Sequence, residues 1–238
     1  MIIDIHNHVG IRIGRSQTGA ELVEKMDRAG VDKSVIFSFV EQPDDEFIAR
    51  EVKAFPDRLI GFSCVNPWLR KEALSTIERG VKELGLKGLK LHPLLHGTQM
   101  DNVELMGPIF EKCEELNIPI IAHSGDSVFS LPIQFEEIAK VFPNVTLIMA
   151  HAGFMQSVGQ ARRAAKRCPN IVLDMCAGTS VDIIDAVEEV GPERIVMGSD
   201  SPFTDVEVEM LKVKLAVSDP TVQKMILGEN AARILGIN

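Results

Sequence analysis

The chain has 238 residues, with 25 Lys+Arg against 34 Asp+Glu and a formal net charge of −9. A chain of this length buries a large core without disulfide staples, and its acidic balance offers no electrostatic footprint for nucleic acid or an anionic membrane surface. The four cysteines (Cys64, Cys113, Cys168, Cys176) show no C-x-x-C spacing, so neither a zinc ribbon nor a redox pair is indicated. The start, Met1-Ile2-Ile3-Asp4, carries no cationic segment ahead of an apolar one, and no apolar run approaches the roughly 18 residues of a membrane helix. The expectation is a reduced, cytoplasmic protein with a small-molecule substrate and neither nucleic acid nor membrane as partner.

In chain order, short Val/Ile/Leu-rich runs predict strands at 2–6, 33–39, 59–65, 88–91, 119–122, 146–150, 171–175 and 195–198. Helical patterns fall between them. The first opens on the capping box Thr18-Gly19-Ala20-Glu21, repeats apolar residues at Leu22, Val23, Met26 and Ala29, and ends at Gly30. Further helices are predicted to start near Pro43, Lys71, Asn102, Leu131, Gln156, Ser180 and Thr204, with two short pieces at 220–227 and 229–235 closing the chain. Eight strand–helix units in about 250 residues predict an α/β fold, a (β/α)8 TIM barrel in one domain over 1–238. An open doubly wound sheet would carry a Gly-rich turn after its first strand, where this chain has His6-Asn7-His8.

Five of the six histidines sit at or just past predicted strand ends: His6 and His8, His92, His123 and His151. His96 follows in the loop after the fourth strand, where a surface position is expected, and Asp200 stands after the eighth. In a barrel these ends converge on one face, where active sites are built. Residues i and i+2 of a strand share a side, so His6 and His8 can point two imidazoles at one place. With His123 and Asp200 they make a metal ligand set of three nitrogens and one oxygen. That set suits one divalent ion, Zn²⁺ foremost, with Mn²⁺, Fe²⁺ and Co²⁺ as alternatives. A metal lowers the pKa of bound water to roughly 7. His151 is then free to move a proton. For substrate contacts the sequence offers His92, Arg12 and Arg15 in the strand-1 loop, Trp68, and the apolar Phe154 and Phe203 beside the histidine motifs.

Asp4-Ile5-His6-Asn7-His8 resembles the opening motif of the amidohydrolase superfamily. The later segments Gly88–Pro93, Pro119–His123, Met149–Gly153, Gly198–Phe203 and Glu229–Leu235 resemble the amidohydrolase-2 family, which includes aminocarboxymuconate-semialdehyde decarboxylase. The resemblance implies a distorted (β/α)8 barrel with His6, His8, His123 and Asp200 as metal ligands and His151 and Asp200 as catalytic residues. It implies a metal-dependent hydrolase that uses a metal-activated water on a small carboxylated or cyclic substrate, an amide, ester or lactone. The alternative is a lyase, a metal-dependent non-oxidative decarboxylase in the same site. Binuclear superfamily members bridge two metals with a strand-4 carboxylated lysine; Lys90 is the candidate here, but a salt-bridged lysine on the rim is the favoured reading. TatD-like nucleases share several of the motifs but place a glutamate on strand 4 that this chain lacks. A barrel that retains the motifs as an inactive binding or scaffold protein is a further minor reading. Family members often form homodimers, which the sequence allows without requiring.

Overall fold

Each predicted run becomes regular structure over residues 1–237, the part that the computed structural model describes. The strands are β1 (Ile3–Val9), β2 (Lys33–Ser38), β3 (Leu59–Gly61), β4 (Ser63–Cys64), β5 (Leu89–Leu91), β6 (Ile120–His123), β7 (Leu147–Ala150), β8 (Ile171–Asp174) and β9 (Ile195–Val196). The helices between the early strands are α1 (Gly19–Ala29), α2 (Asp45–Ala54), α3 (Lys71–Lys82), α4 (Pro93–His96) and α5 (Val103–Glu115). Those that follow are α6 (Pro132–Val141), α7 (Val158–Arg167), α8 (Ser180–Glu189), α9 (Val206–Ala216), α10 (Pro220–Lys224) and α11 (Asn230–Leu235). The anticipated capping box is present: Thr18 Oγ1 accepts from Glu21 N at 3.2 Å, and Thr18 N donates to Glu21 Oε2 at 2.8 Å.

All strand pairs are parallel. The third predicted strand divides at Phe62, because the chain there changes partners. β3 pairs with β2 and β4 with β5, while Phe62 N donates to Ile36 O at 2.9 Å and Ser63 N to Gly88 O at 2.8 Å. Counted as one barrel position, β3 and β4 give eight. The ring closes between the end of β9 and β1 through Ile5 N to Met197 O at 3.0 Å and His8 N to Ser201 O at 2.8 Å. The fold is an α/β barrel.

Alternating strand residues divide the apolar core. Val35, Phe37, Ile121, Ile148, Val172 and Val196 fill the barrel interior with Ile3 and Ile5, and Ala231 and Leu235 of α11 join the same cluster. Their neighbours Ile36, Leu89, Leu91, Ile120, Leu147, Leu173 and Ile195 pack outward against the helices. Strand β1 breaks this alternation. Asp4 pairs with Ser34 and Asn7 with Ile36, so Ile5 and His6 together oppose the single residue Val35. This bulge turns two consecutive side chains inward. Ile3 and Ile5 line the interior, and the parity shift then brings His6 and His8 inward as well. The strand runs on to Val9, so both histidines lie within it rather than at or past its end. Helix α4 also corrects the sequence reading, since it places His96 in a helical turn and buries it.

Candidate functional site

His6, His8 and Asp200 meet at the C-terminal end of the barrel. His6 Nε2 is 3.2 Å and His8 Nε2 is 3.3 Å from the same Asp200 Oδ1. Backbone and buried polar ties hold this arrangement. Asp200 N donates to His6 O at 2.8 Å, Ser199 N and Oγ donate to the Asp4 carboxylate at 2.8 and 2.6 Å, and Asn7 Nδ2 donates to Val35 O at 3.2 Å. Behind His6, Asp174 Oδ2 lies 2.8 Å from Nδ1. Burial alone would raise Asp174 and Asp200. The adjoining imidazoles, His6 foremost, outweigh it and hold both carboxyls below their usual range. Asp174 therefore accepts from His6 Nδ1–H, which turns Nε2 toward the Asp200 side. Burial also pushes His8 down to about 4, so its ring is neutral at neutral pH.

Two imidazole nitrogens and one ionised carboxylate oxygen, with ligand atoms within 4.8 Å of one another, can hold a divalent metal ion. The carboxylate behind His6 adds the outer support that metal-bound histidines usually have. The donor chemistry fits a metal. Replacing Asp174 by Asn should therefore weaken metal binding by about 10–100-fold. Chelator competition on the folded variant measures it, and unchanged affinity would remove Asp174 from that role.

His123 has a different neighbourhood. Its Nε2 lies 2.9 Å from Asp126 Oδ2, its ring stacks on His92 at 3.9 Å, and these three residues form a separate group. Of the four anticipated ligands, the structure thus brings three together and leaves His123 one ring away. His151 stands between the groups, with ring centroids 5.1 Å from His6 and 4.7 Å from His123. Its Nδ1 is 3.0 Å from Cys176 Sγ, which also lies 3.2 Å from Asp174 Oδ2. Burial lowers His92, His123 and His151; neighbouring rings add to it at His92 and His151, whereas at His123 the Asp126 hydrogen bond opposes it and Lys90 reinforces it.

A cavity of about 380 Å³ opens onto His8, His92, His123, His151 and Asp200. Phe39, Phe154 and Phe203 wall it, and Arg12 and Glu41 line its solvent side. A larger space of about 650 Å³ beside it, lined by Val9, Ile11, Gln42 and Phe47 among others, holds no histidine. Phe39 stacks on His8 at 5.2 Å and Phe203 meets the same ring edge-on at 5.6 Å. The backbone is strained where these walls meet. His151, Ala152, Phe154, Ala177 and Asp200, on the loops after β7, β8 and β9, all have positive φ between 45° and 63°. Such outliers gather at functional sites.

Three sequence readings change. Lys90 is no rim residue in a salt bridge: it is fully buried inside the barrel, its Nζ 3.1 Å from His6 Nε2 and 4.7 Å from the centre of the Phe37 ring. Its flanking Leu89 and Leu91 face the helices, so alternation sends Lys90 inward, and burial lowers its pKa. His96 is buried with both ring nitrogens lacking a hydrogen-bond partner among the described residues. Trp68 does not line the cavity; it is 50% exposed and its indole donates to His96 O at 2.7 Å. Arg15 is exposed. Asp174, Cys176, Asp126 and Glu41 join the site with no histidine motif to mark them. Asp174 and Cys176 carried the same signal as the histidines, a polar residue at a strand's C-terminal end.

A sequence model of the amidohydrolase family matches residues 3–237. The chain belongs to that family. A relative of this amidohydrolase-family enzyme is the 2-amino-3-carboxymuconate-6-semialdehyde decarboxylase of Dictyostelium discoideum, 22% identical over 91% of this chain and 76% of the relative. Among solved structures, the 5-carboxyvanillate decarboxylase of Sphingomonas paucimobilis superposes with a TM-score of 0.81 at 18% identity, covering 100% of this chain and 99% of that one. The 5-carboxyvanillate decarboxylase of Novosphingobium aromaticivorans, solved with manganese and 4-hydroxy-3-methoxy-5-nitrobenzoic acid, gives 0.77 at 16% identity, covering 100% and 96%. No helix among the described residues is long and apolar enough to cross a membrane.

Proposed function

We propose that this protein is a non-oxidative decarboxylase of a small aromatic or unsaturated carboxylic acid, the lyase rather than the hydrolase of the two readings the sequence allowed. The observation that carries it is a ring-sized cavity with aromatic walls whose floor presents His151 beside the His6–His8–Asp200 group. Its volume lies at the small end of the roughly 300–1,000 Å³ usual for ligand sites. The decarboxylase names of the relatives support the same choice. Held by His6, His8 and Asp200, with His123 as the further anticipated ligand, a divalent cation such as zinc or manganese would orient a substrate oxygen and draw electron density from the reacting carbon.

The chain's own residues do the rest. Phe39, Phe154 and Phe203 exclude water from the ring faces and favour a planar substrate. His151 is anchored at Nδ1 by Cys176, which leaves Nε2 to hold the proton that replaces the departing carboxylate. The carbon gains this proton, its bond to the carboxylate breaks, and carbon dioxide leaves as the electron pair returns to the ring or alkene. Asp200, held ionised, is a poorer proton source than His151 and serves better as a ligand. The test is turnover of a panel of aromatic and unsaturated acids in ¹⁸O-labelled water with metal supplied. Carbon dioxide release with an unlabelled organic product is expected. Incorporation of ¹⁸O without carbon dioxide would return the protein to the hydrolases.

A further inference from the structure

Arg12 and Glu41 form an ion pair, Nη2 to Oε1 2.9 Å, with side chains 35% and 39% exposed, and both line the cavity. Two features separate this pair from an ordinary surface bridge. The guanidinium carbon lies 5.1 Å from the centre of the Phe203 ring and 5.9 Å from that of Phe39, so two aromatic faces fix its place. Those are the rings that pack on His8, which puts Arg12 one ring layer out from the His6–His8–Asp200 group. Glu41 is also the only carboxylate within ion-pair distance of Arg12 among the described residues. Among the described residues the guanidinium has no other side-chain or backbone acceptor, which leaves donors for a carboxylate, a group Arg binds best with two parallel hydrogen bonds.

We propose that Glu41 is a built-in competitor for Arg12, and that the preferred ligand is a planar diacid whose second carboxylate displaces it. One acidic group would face the His8–Asp200 end of the cavity, and the other would take Glu41's place on Arg12. Glu41 then sets specificity: a ligand without a distal carboxylate leaves the pair closed and gains nothing from Arg12. The inference rests on the decarboxylase reading for the near carboxylate, but the exchange at Arg12 is a binding event that needs no turnover.

Isothermal titration of the metal-supplied protein with isophthalate, benzoate and benzamide tests it. Glu41→Gln should tighten isophthalate by about tenfold, and Arg12→Met should weaken it by about tenfold, the size of one charge-assisted hydrogen bond gained or lost. Benzoate and benzamide should move less than twofold in both. In the double variant the Glu41→Gln gain should vanish, since the competitor has lost its object. The proposal is overturned if Glu41→Gln leaves isophthalate binding unchanged or weakens it. It is equally overturned if the gain survives without Arg12, or if benzoate responds as strongly as the diacid. A hydrolytic outcome in the labelling experiment, with these binding shifts intact, would overturn the decarboxylase reading and leave the exchange standing.

Discussion

Asp200→Asn is expected to lower kcat/KM by about 10²–10³-fold, the range seen when one preorganised electrostatic group is removed. The variant should keep its melting temperature within a few degrees. The activity loss follows from charge. Asp200 Oδ1 is shared by His6 Nε2 and His8 Nε2, and the adjoining imidazoles keep the carboxyl ionised against the opposing effect of burial. An amide of the same shape removes that charge from the group that would hold the metal. The preserved fold follows from the backbone. Asp200 sits at φ +56°, a left-handed conformation that Asn adopts almost as readily as Asp. Its N–H closes the barrel on His6 O whatever the side chain. Ala at this position would add a backbone penalty of about 1–2 kcal/mol and blur the comparison. Metal content, kcat/KM and thermal unfolding measured together decide the matter. Undiminished kcat/KM would remove Asp200 from the site, and a collapse in stability would make it structural.

The barrel and much of the candidate site were legible because both follow from local chemistry. Buried parallel strands read as short β-branched runs, and the helix starts, set by caps and prolines, fall within two residues of those expected. Strand β1 shows the limit. Alternation from Ile3 and Ile5 taken alone would turn His6 and His8 away from the interior, and only the bulge at Ile5–His6 reverses this. A bulge is a tertiary event, set by pairing with β2, and nothing in Asp4-Ile5-His6-Asn7-His8 announces it. The place of His123 was hidden for a similar reason. Its partners, Asp126 on the following loop and His92 from the neighbouring barrel position, are chosen by loop shape.

Lys90 and His96 run against the tendency of charged and polar residues near loops to face water. Lys90 is carried inward by the period of its strand, and its burial sets its amine beside His6. The interior of this barrel end therefore holds Lys90, Asp174 and Asp200 around the rings of His6, His8 and His151. Its charged groups come from elements far apart in sequence, which explains why single motifs understate it. The strained loops after β7, β8 and β9 belong to the same pattern, since they turn His151, Phe154 and Asp200 onto one cavity.

His151→Asn is the second large effect, a loss of about 10²–10⁴-fold in kcat, as for removal of a positioned proton-transfer group. Its distinguishing feature is that metal binding should survive. His151 lies beside the His6–His8–Asp200 group rather than within it, so the proposed donors remain in place. The turn that carries it is pinned without its ring: Ser124 Oγ donates to Ala150 O at 2.5 Å and accepts from Gly153 N at 2.8 Å. At φ +63° the backbone again suits Asn. Burial and the neighbouring rings hold the His151 pKa well below the ordinary value of 6.5, so the imidazole stays neutral as pH passes through that value. Since the ring must carry the proton it donates, the wild-type kcat should accordingly fall as pH rises through 6.5, with its inflection displaced to lower pH. Steady-state kinetics with parallel metal analysis separates the alternatives. Loss of metal together with activity would make His151 a ligand. Activity within a few-fold of wild type would move the proton-transfer role to another group in the cavity, with His123 the next imidazole in reach of the substrate.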